Sequence, residues 1–216
     1  MTKTPKGQRT RERIYAAASH IIAKEGFDGI TMRAIAEQAG LSAGAAYHYV
    51  RGKDELVLGL YAHTQHQVGA HAAHLAEEGG NLTVRLTGMF SGGLKVLAPH
   101  RELLSHLATV VLAPGSPMSP FSASTHTIRS EAIANFRVVM GPHGDAQLAE
   151  LCWMMWLGFI LFWLNDRTPE QRATHAFIAK LVPIFVRVLP LARSTLFGLA
   201  ELAREALLEE PPQDTP

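Results

Sequence analysis

The hydrophobic positions of this chain recur with a helical period from one end to the other. Apolar residues return every three or four positions in one segment after another, and no stretch shows the strict alternation of a half-buried strand. The first such stripe consists of Ile14, Ala17, Ala18, Ile21 and Ile22. The pattern predicts an all-α protein whose helices are separated by breaks rich in glycine and proline.

These breaks predict where the helices begin and end. The first helix is expected at residues 9–24, after a mobile basic arm or plain flexible end at residues 1–8. After the stretch 31–53, helices are predicted at 53–78, 82–97, 99–113, 122–140, 145–165, 170–189 and 191–209. Three prolines make residues 113–121 a loop, which is either a flap over a pocket or a passive connector.

Residues 31–53 predict two short helices joined by a tight turn. Thr31 and Ser42 each precede a helical stretch and can accept a hydrogen bond from a backbone N–H of its first turn. Gly40 stands between them, where a left-handed turn has little steric cost. A helix, a turn that contains glycine and a second helix form the helix-turn-helix pattern, whose second helix reads the DNA major groove.

The second of these helices exposes mostly small residues, on a face that can approach a groove closely. This face comprises Ala43, Gly44, Ala45, Tyr47 and His48. Leu41 is predicted to be the buried residue of the turn, and Tyr49 and Val50 are expected to pack inside.

Charge is distributed unevenly along the chain. Residues 1–53 contain nine Lys or Arg and four Asp or Glu, a net charge of +5, whereas the remainder contains eleven and fifteen, a net charge of −4. A basic end on an acidic body is expected of a protein whose N-terminal part meets phosphate. A solvated, charged terminus without a partner gives the same pattern.

Residues 9–60 resemble the N-terminal domain of TetR/AcrR-type transcriptional repressors. The run RTRERIYAAASHIIAKEGFDGITMRAIAEQAGLSAGAAYHYVRGKDEL carries four of the family's blocks in order. These are the basic opening helix, GFDGITMRAIA, AGLSAGAAYHYV and the KDEL ending. The family more often has a larger aliphatic residue where this chain has Ala46. The resemblance implies a three-helix DNA-binding domain followed by a helical bundle for ligand binding and dimerisation.

The resemblance also implies which residues meet DNA. Thr31, Tyr47 and Lys53 would bind phosphates, and Arg33 with the small face of the second helix would lie toward base edges. The DNA-binding residues predicted in this way are Thr31, Arg33, Ser42, Ala43, Gly44, Ala45, Tyr47, His48 and Lys53. A two-fold dimer would read two half-sites, so the partner is expected to be a pseudo-palindromic operator in double-stranded DNA.

The body of the chain is predicted to bind an effector and a second copy of itself. Residues 145–165 are apolar all round the helix, so more than one face must be buried. By resemblance, the helices near 145–165 and 169–189 form a four-helix bundle with the same pair of a second subunit. The expected division is therefore a DNA-binding domain at 1–53, an effector and dimerisation domain at 54–210, and a flexible tail at 211–216.

Aromatic and methionine side chains in this body predict an apolar or aromatic small-molecule effector. The alternative for most of them is a place in the core or the dimer interface. The candidate pocket residues are His63, Met89, Phe90, Phe121, Trp153, Trp156 and Phe159.

Histidines raise a second possibility for the effector. His63, His66, His71 and His74 fall within a 140° arc of the predicted fourth helix at about 100° per residue, and close pairs on such a face can share a metal. A polar face that happens to be rich in histidine gives the same spacing. Few carboxylates and no cysteine lie nearby, so a metal-responsive regulator is the alternative rather than the main prediction.

Other classes of protein have less support from the sequence. We expect no enzyme and no cofactor, because the chain has neither a P-loop nor a dinucleotide-binding motif. Its one cysteine, Cys152, cannot form a disulfide within the chain. The longest apolar run, 151–164, is shorter than the roughly 20 residues that a membrane span needs. A cytoplasmic protein without membrane contact is therefore expected.

Overall fold

The computed structural model describes residues 5–26 and 30–208, and in these residues it contains helices and no strand. This agrees with the all-α prediction. The helices are α1 Pro5–Glu25, α2 Met32–Gln38, α3 Ala43–Tyr49, α4 Lys53–Glu78, α5 Leu82–Leu97, α6 Arg101–Val111, α7 His126–Met140, α8 Ala146–Asn165 and α9 Arg172–Leu208. Short 3₁₀ turns lie at Ala98–His100, Ala123–Thr125, Gly141–His143 and Pro169–Gln171.

Contacts between residues divide the chain into two compact units. The first unit comprises residues 1–64 and 98–125, and the second comprises 65–97 and 126–216. Helix α4 begins in the first unit and continues into the second. This division differs from the domain boundary expected at residue 53, because α6 and the loop after it belong with the helix-turn-helix. The tail at 211–216 lies outside the described residues.

A single apolar core holds the first unit together. Ile14 and Ile22 of α1 are fully buried together with Ile35 of α2 and Ala46 of α3. Leu103 and Leu107 of α6 belong to the same core, and so does Met118 of the proline-rich loop. Helices α1, α2 and α3 therefore share their core with a segment that begins more than fifty residues after the end of α3.

Aromatic rings fill much of the core of the second unit and continue from it to the exposed side chains of Phe162 and Phe177. We call Phe90, Phe136, Trp156, Phe159, Phe162 and Phe177 the aromatic cluster. Phe90 lies 4.9 Å from Phe159, centroid to centroid, in an edge-to-face arrangement. Such pairs contribute about 0.5–1.5 kcal/mol beyond the area they bury. Gly93 allows this packing, because a Cβ at that position would lie 2.9 Å from the Trp156 ring.

Helix α8 has the length and composition of a membrane span, and it is the one such helix in the described part of the chain. Its buried residues are Leu148, Ala149, Cys152, Trp153, Trp156, Phe159 and Trp163. Core helices of soluble proteins share this composition. Burial, together with the charge of Asp145, raises the pKa of the Cys152 thiol to about 12, so this thiol is inert at neutral pH.

Helix α1 begins at Pro5, four residues before the predicted start. The expected mobile arm at residues 1–8 is therefore wrong for 5–8, and residues 1–4 lie outside the described part. Proline is favourable in the first turn of a helix, because its φ is already helical and its missing N–H has no partner there.

Helix α9 corrects a second prediction, because it remains helical through Pro183 and Pro190. Two helices were expected at 170–189 and 191–209. Proline inside a helix removes one N–H donor, and the carbonyl four residues earlier must find another partner. For Pro183 that residue is Ala179, which is exposed, so water can replace the lost donor. Ile178 and Val182 on the neighbouring face are fully buried and hold this part of α9 in place.

Asp166 organises the turn between α8 and α9. Its carboxylate accepts hydrogen bonds from the backbone N–H and hydroxyl of Thr168, at 2.9 and 2.7 Å, and from those of Thr174, at 2.8 and 2.7 Å. The sequence predicts a helix over residues 170–189. The helix begins at Arg172 instead, because the two preceding residues have φ of +54° and +52°. Residues in that region cannot continue a right-handed helix.

We expect the Asp166→Asn variant to unfold at a lower temperature than the wild-type protein at neutral pH. Burial raises the pKa of Asp166, but the hydrogen bonds from Thr168 and Thr174 outweigh it and hold the pKa well below its ordinary value. A lowered pKa means that the carboxylate stabilises the fold fully above about pH 4 and progressively less below it.

Thermal unfolding of both proteins between neutral and acid pH measures this contribution. The gap between the two midpoints should narrow below about pH 4. A gap that stayed constant across this range would show that ionisation of Asp166 does not stabilise the turn.

Candidate nucleic-acid interface

The two short helices begin as the sequence predicts. Thr31 Oγ1 accepts a hydrogen bond from the Ala34 N–H at 3.1 Å, and Ser42 Oγ accepts one from the Ala45 N–H at 3.2 Å. Each bond satisfies a donor that has no partner within its helix. The side-chain oxygens therefore define the starts of α2 and α3.

The turn between α2 and α3 depends on Gly40. Its φ is +63°, and its N–H donates to the Glu37 carbonyl at 3.0 Å while the Leu41 N–H donates to the Ala36 carbonyl at 2.8 Å. This pair of bonds is a Schellman motif, which satisfies two carbonyls at the end of α2. Leu41 is half-buried against the core of the first unit.

Arg13 of α1 braces this turn, a role that sequence reasoning missed. Its Nη2 donates a hydrogen bond to the Ala39 carbonyl and lies 3.4 Å from the Gly40 carbonyl. The sequence shows only the apolar stripe and the basic residues of α1, and no local signal links two residues 26 positions apart. Arg13 therefore positions the turn between α2 and α3.

We expect the Gly40→Ala variant to lose about 1–2 kcal/mol of unfolding free energy, the usual cost of a left-handed non-glycine residue. Its new Cβ would also lie 3.0 Å from the Arg13 guanidinium. The Gly44→Ala variant is the matched control, because Gly44 is helical and its Cβ would meet nothing within 4 Å. Chemical denaturation should show a gain of about 0.5–1 kcal/mol there. Equal effects in the two variants would contradict this account of the turn.

Helix α3 has one buried face and one exposed face. Ala46 and the following Val50 are buried, whereas Ala43, Gly44 and His48 are exposed. Tyr47 is 52% exposed, and the space beside Gly44 is open. Ala45 is half-buried, and so is Tyr49, against whose ring His48 packs edge to face at 5.3 Å. The exposed face is therefore small enough at its N-terminal end for a close approach.

The remaining residues predicted to bind DNA lie at the starts of α2, α3 and α4. Thr31, Ser42 and Arg33 are exposed, and Lys53 is half-buried at the first position of α4. Glu55 fixes the turn before α4, because its Oε2 accepts the Arg51 N–H at 2.8 Å. The carboxylates of Asp54 and Glu55, in the first turn of α4, also interact favourably with the positive end of the helix dipole.

Comparison with known families covers most of the chain. Residues 14–60 match the bacterial regulatory proteins of the tetR family, and residues 85–205 match the tetracyclin repressor-like C-terminal domain. The second match alone extends over more than half of the 216 residues. The chain belongs to the TetR family. It is a DNA-binding transcriptional regulator, as the sequence predicts.

Relatives and solved structures agree with this TetR-family assignment. The HTH-type transcriptional repressor KstR of Mycobacterium tuberculosis is 27% identical over 184 residues, which cover 83% of this chain and 80% of that protein. A tetR-family regulator from Streptomyces coelicolor superposes with a TM-score of 0.62 at 19% identity, over 97% of this chain and 92% of that one. FadR from Bacillus subtilis in complex with stearoyl-CoA superposes with a TM-score of 0.59 at 17% identity, over 79% and 96%.

The predicted effector residues of this TetR-family chain belong to both units. His63 and Phe121 lie in the first unit, and both are half-buried. The others are buried in the second unit, where Phe90, Trp156 and Phe159 are in ring contact. The predicted residues of that core are Met89, Phe90, Trp153, Trp156 and Phe159.

The histidines of α4 have separate surroundings. His71 Nε2 is 3.1 Å from the Gly88 carbonyl, and His74 pairs with Glu78 at 3.2 Å. His66 is exposed, and the His63 ring lies 6.3 Å from the Tyr15 ring. Within the residues that the structure describes, no group of three or more His, Cys, Asp or Glu side chains is arranged to hold a metal. No observation therefore favours the metal-responsive alternative.

Proposed function

We propose that this protein is a cytoplasmic, homodimeric repressor that binds a pseudo-palindromic operator and is released from it by an apolar or aromatic small molecule. The observation that carries the proposal is the exposed face of α3. It combines open space at Gly44 with exposed Tyr47 and His48, on a helix that is anchored by buried Ala46 and Val50. Repression follows the relatives of known function, since KstR is itself a transcriptional repressor.

Contacts with DNA divide between phosphates and bases. We assign Thr31, Tyr47 and Lys53 to phosphates. The Thr31 hydroxyl accepts a hydrogen bond from the Ala34 N–H and still has a proton to donate, and the Tyr47 hydroxyl can donate as well. Lys53 adds its charge at the start of α4, where backbone N–H groups also favour an anion. We assign the exposed side chains of Arg33 and His48 to base edges. A bidentate arginine on guanine gives about 1–3 kcal/mol of discrimination.

Apolar residues exposed on α8 and α9 support a dimer. Phe162 on α8 is 44% exposed, and Ile184 on α9 is 59% exposed. The exposed large apolar residues of these two helices are Leu161, Phe162, Phe177, Ile184, Val188 and Leu202. On α9 they recur at helical spacing, so they form a face rather than scattered exceptions. A second copy of this pair of helices would cover that face with an equally apolar one.

The aromatic cluster supports an apolar effector in the second unit. FadR of Bacillus subtilis binds stearoyl-CoA in a similar fold, which gives an apolar chain as one ligand to test. Because Phe90 and Phe159 are in contact, a ligand that enters here must separate packed rings. Such a ligand releases the operator only if it binds the DNA-free conformation of the protein more tightly than the DNA-bound conformation.

Selection of bound DNA from a random pool tests the central proposal. The purified full-length chain should enrich an inverted repeat whose half-sites are centred about one helical turn or more apart. Lys53→Ala should then weaken binding to all sequences similarly and reduce the salt slope by about one. If no sequence were enriched, both the DNA-reading face and the two-fold symmetry would be rejected.

A further inference from the structure

The first unit contains a cavity of about 290 Å³ between α1, the beginning of α4, and α6 with the turn before it. Its walls are partly apolar, with Leu60, Leu103 and Leu107 among the lining residues. All three leucines belong to α4 or α6 and reach the same core that supports the helix-turn-helix. The cavity therefore lies inside the DNA-reading unit, apart from the aromatic cluster of the second unit.

Several groups that form hydrogen bonds line this apolar cavity. Tyr15, Tyr61, His63 and His100 all belong to its wall. Phenol and neutral imidazole groups can each donate and accept, so they suit a ligand hydroxyl or carbonyl group. Pockets for small molecules usually combine apolar walls with a few such groups.

Charge in the cavity favours a neutral ligand over an anion. Burial, and secondarily the neighbouring His63, lower the pKa of His100, so its imidazole is uncharged at neutral pH. Glu12 is the one carboxylate among the lining residues, and it would repel a ligand carboxylate or phosphate. The wall contains no lysine or arginine that would balance such a charge.

Volume limits the size of the ligand. An apolar cavity of about 150 Å³ accommodates one benzene molecule, so 290 Å³ is enough for one ring or two fused rings. A long acyl chain or a polycyclic skeleton exceeds this volume, so part of it would extend beyond the cavity.

We propose that this cavity is a second small-molecule site, which binds neutral one- or two-ring aromatic compounds that carry a hydroxyl or carbonyl group. Binding itself is independent of any effector in the second unit. Its effect on DNA rests on the proposed repressor function.

Helix α1 connects this cavity to the DNA-reading turn. Glu12 and Tyr15 line the cavity, and Arg13 between them holds the Ala39 carbonyl at the end of α2. A shift of α1 on ligand binding would therefore move the brace of the turn. The ligand alters operator affinity only as far as it binds more tightly to the protein with α1 shifted than to the protein with α1 in its original position.

The distribution of aromatic residues makes the proposal testable. All four tyrosines lie in the first unit, at 15, 47, 49 and 61, and all three tryptophans lie in the second, at 153, 156 and 163. Full-length protein that carries 3-fluorotyrosine and 5-fluorotryptophan is titrated with 2-naphthol and followed by fluorine NMR. Tyrosine-to-phenylalanine variants assign the tyrosine signals.

We expect saturable shifts of the Tyr15 and Tyr61 signals that are larger than any shift of Tyr47 or Tyr49, whereas the three tryptophan signals stay in place. The anion 2-naphthoate, which has the same rings, should bind at least about ten-fold more weakly, a difference of about 1.4 kcal/mol. Equal or tighter binding of 2-naphthoate would overturn the neutral ligand class.

Two variants that fill the cavity locate the site. Ser19 and Leu104 line it, so Ser19→Leu and Leu104→Trp should each weaken 2-naphthol binding by at least about ten-fold. Ala62→Leu is the matched control, because Ala62 is exposed on α4 and does not line the cavity. Before ligand is added, unchanged signals of Tyr47, Tyr49 and the three native tryptophans show that each variant is folded, and Leu104→Trp adds one further tryptophan signal.

The site would be rejected if the Tyr15 and Tyr61 signals did not move up to the solubility of 2-naphthol. Shifts that survived in both filling variants, or that appeared in the tryptophan signals alone, would also reject it. These outcomes are separate from failure of the repressor proposal, which is tested with ligand-free protein by DNA selection.

Discussion

The Gly44→Glu variant is expected to lose at least about 100-fold in operator affinity, roughly 3 kcal/mol, while remaining folded. Gly44 lies in the exposed face of α3, where a new Cβ meets nothing within 4 Å. A glutamate there projects its carboxylate toward the groove, where it excludes the close approach of α3 and is repelled by phosphates. The substitution therefore changes the shape and the charge of the exposed face of α3 without disturbing the core.

The stability of the Gly44→Glu variant should increase, although its operator affinity falls. Glutamate has a higher helix propensity than glycine by about 0.5 kcal/mol, and a negative charge near the start of a helix is favourable. Chemical denaturation of the wild-type and Gly44→Glu proteins measures this change. Fluorescence anisotropy with labelled operator measures the loss of affinity.

Ala70→Glu is the control for added charge. Ala70 is exposed on α4 in the second unit, outside the predicted DNA-binding face. It adds the same carboxylate and should leave operator affinity within about two-fold, a change of roughly 0.4 kcal/mol. If Gly44→Glu bound the operator as well as Ala70→Glu did, the exposed face of α3 would not be the surface that reads DNA.

The second large effect is expected at the face that α8 and α9 expose. Combining Phe162→Glu with Ile184→Glu should convert the dimer into a monomer. In the proposed dimer both side chains are covered by the partner, so each glutamate would be removed from water without a compensating charge. Such a burial costs several kcal/mol per ion, and two-fold symmetry places four of them in one interface.

Sedimentation of the wild-type protein and the double variant at the same concentrations measures the loss of the dimer. Operator affinity should fall with it, because a monomer reads only one half-site. Val84→Glu on α5 is the matched control, since Val84 is 58% exposed and Ile184 is 59% exposed. A double variant that stayed dimeric would show that the two copies meet through another surface.

Local chemistry made the DNA-reading segment predictable. The caps at Thr31 and Ser42 and the left-handed turn at Gly40 each depend on residues within about five positions of one another. Hydrogen bonds of this range depend on the identity of a few neighbours and not on the rest of the fold. The sequence therefore predicts both the turn and the exposed face of α3, and the structure agrees at Gly44, Tyr47 and His48.

Predictions from proline and from helix periodicity were less reliable in the second half of the chain. Pro190 predicts a break between two helices, yet α9 continues through it as it does through Pro183. Tertiary packing outweighed the local penalty, because Ile178 and Val182 are buried and the carbonyl freed by Pro183 lies at exposed Ala179. The start of α9 likewise depends on Asp166, which bonds to Thr174 eight residues later.

The sequence alone determined that the chain is all helix, that residues 31–53 form a helix-turn-helix, and that α8 must bury more than one face. Only the tertiary structure decided that Arg13 braces the turn, that α6 shares the core of the first unit, and that a cavity lies between α1, α4 and α6. The physical reason is the range of the interactions involved. Caps and left-handed turns act within a few residues, whereas a brace, a shared core and a cavity are made by side chains that only folding brings together.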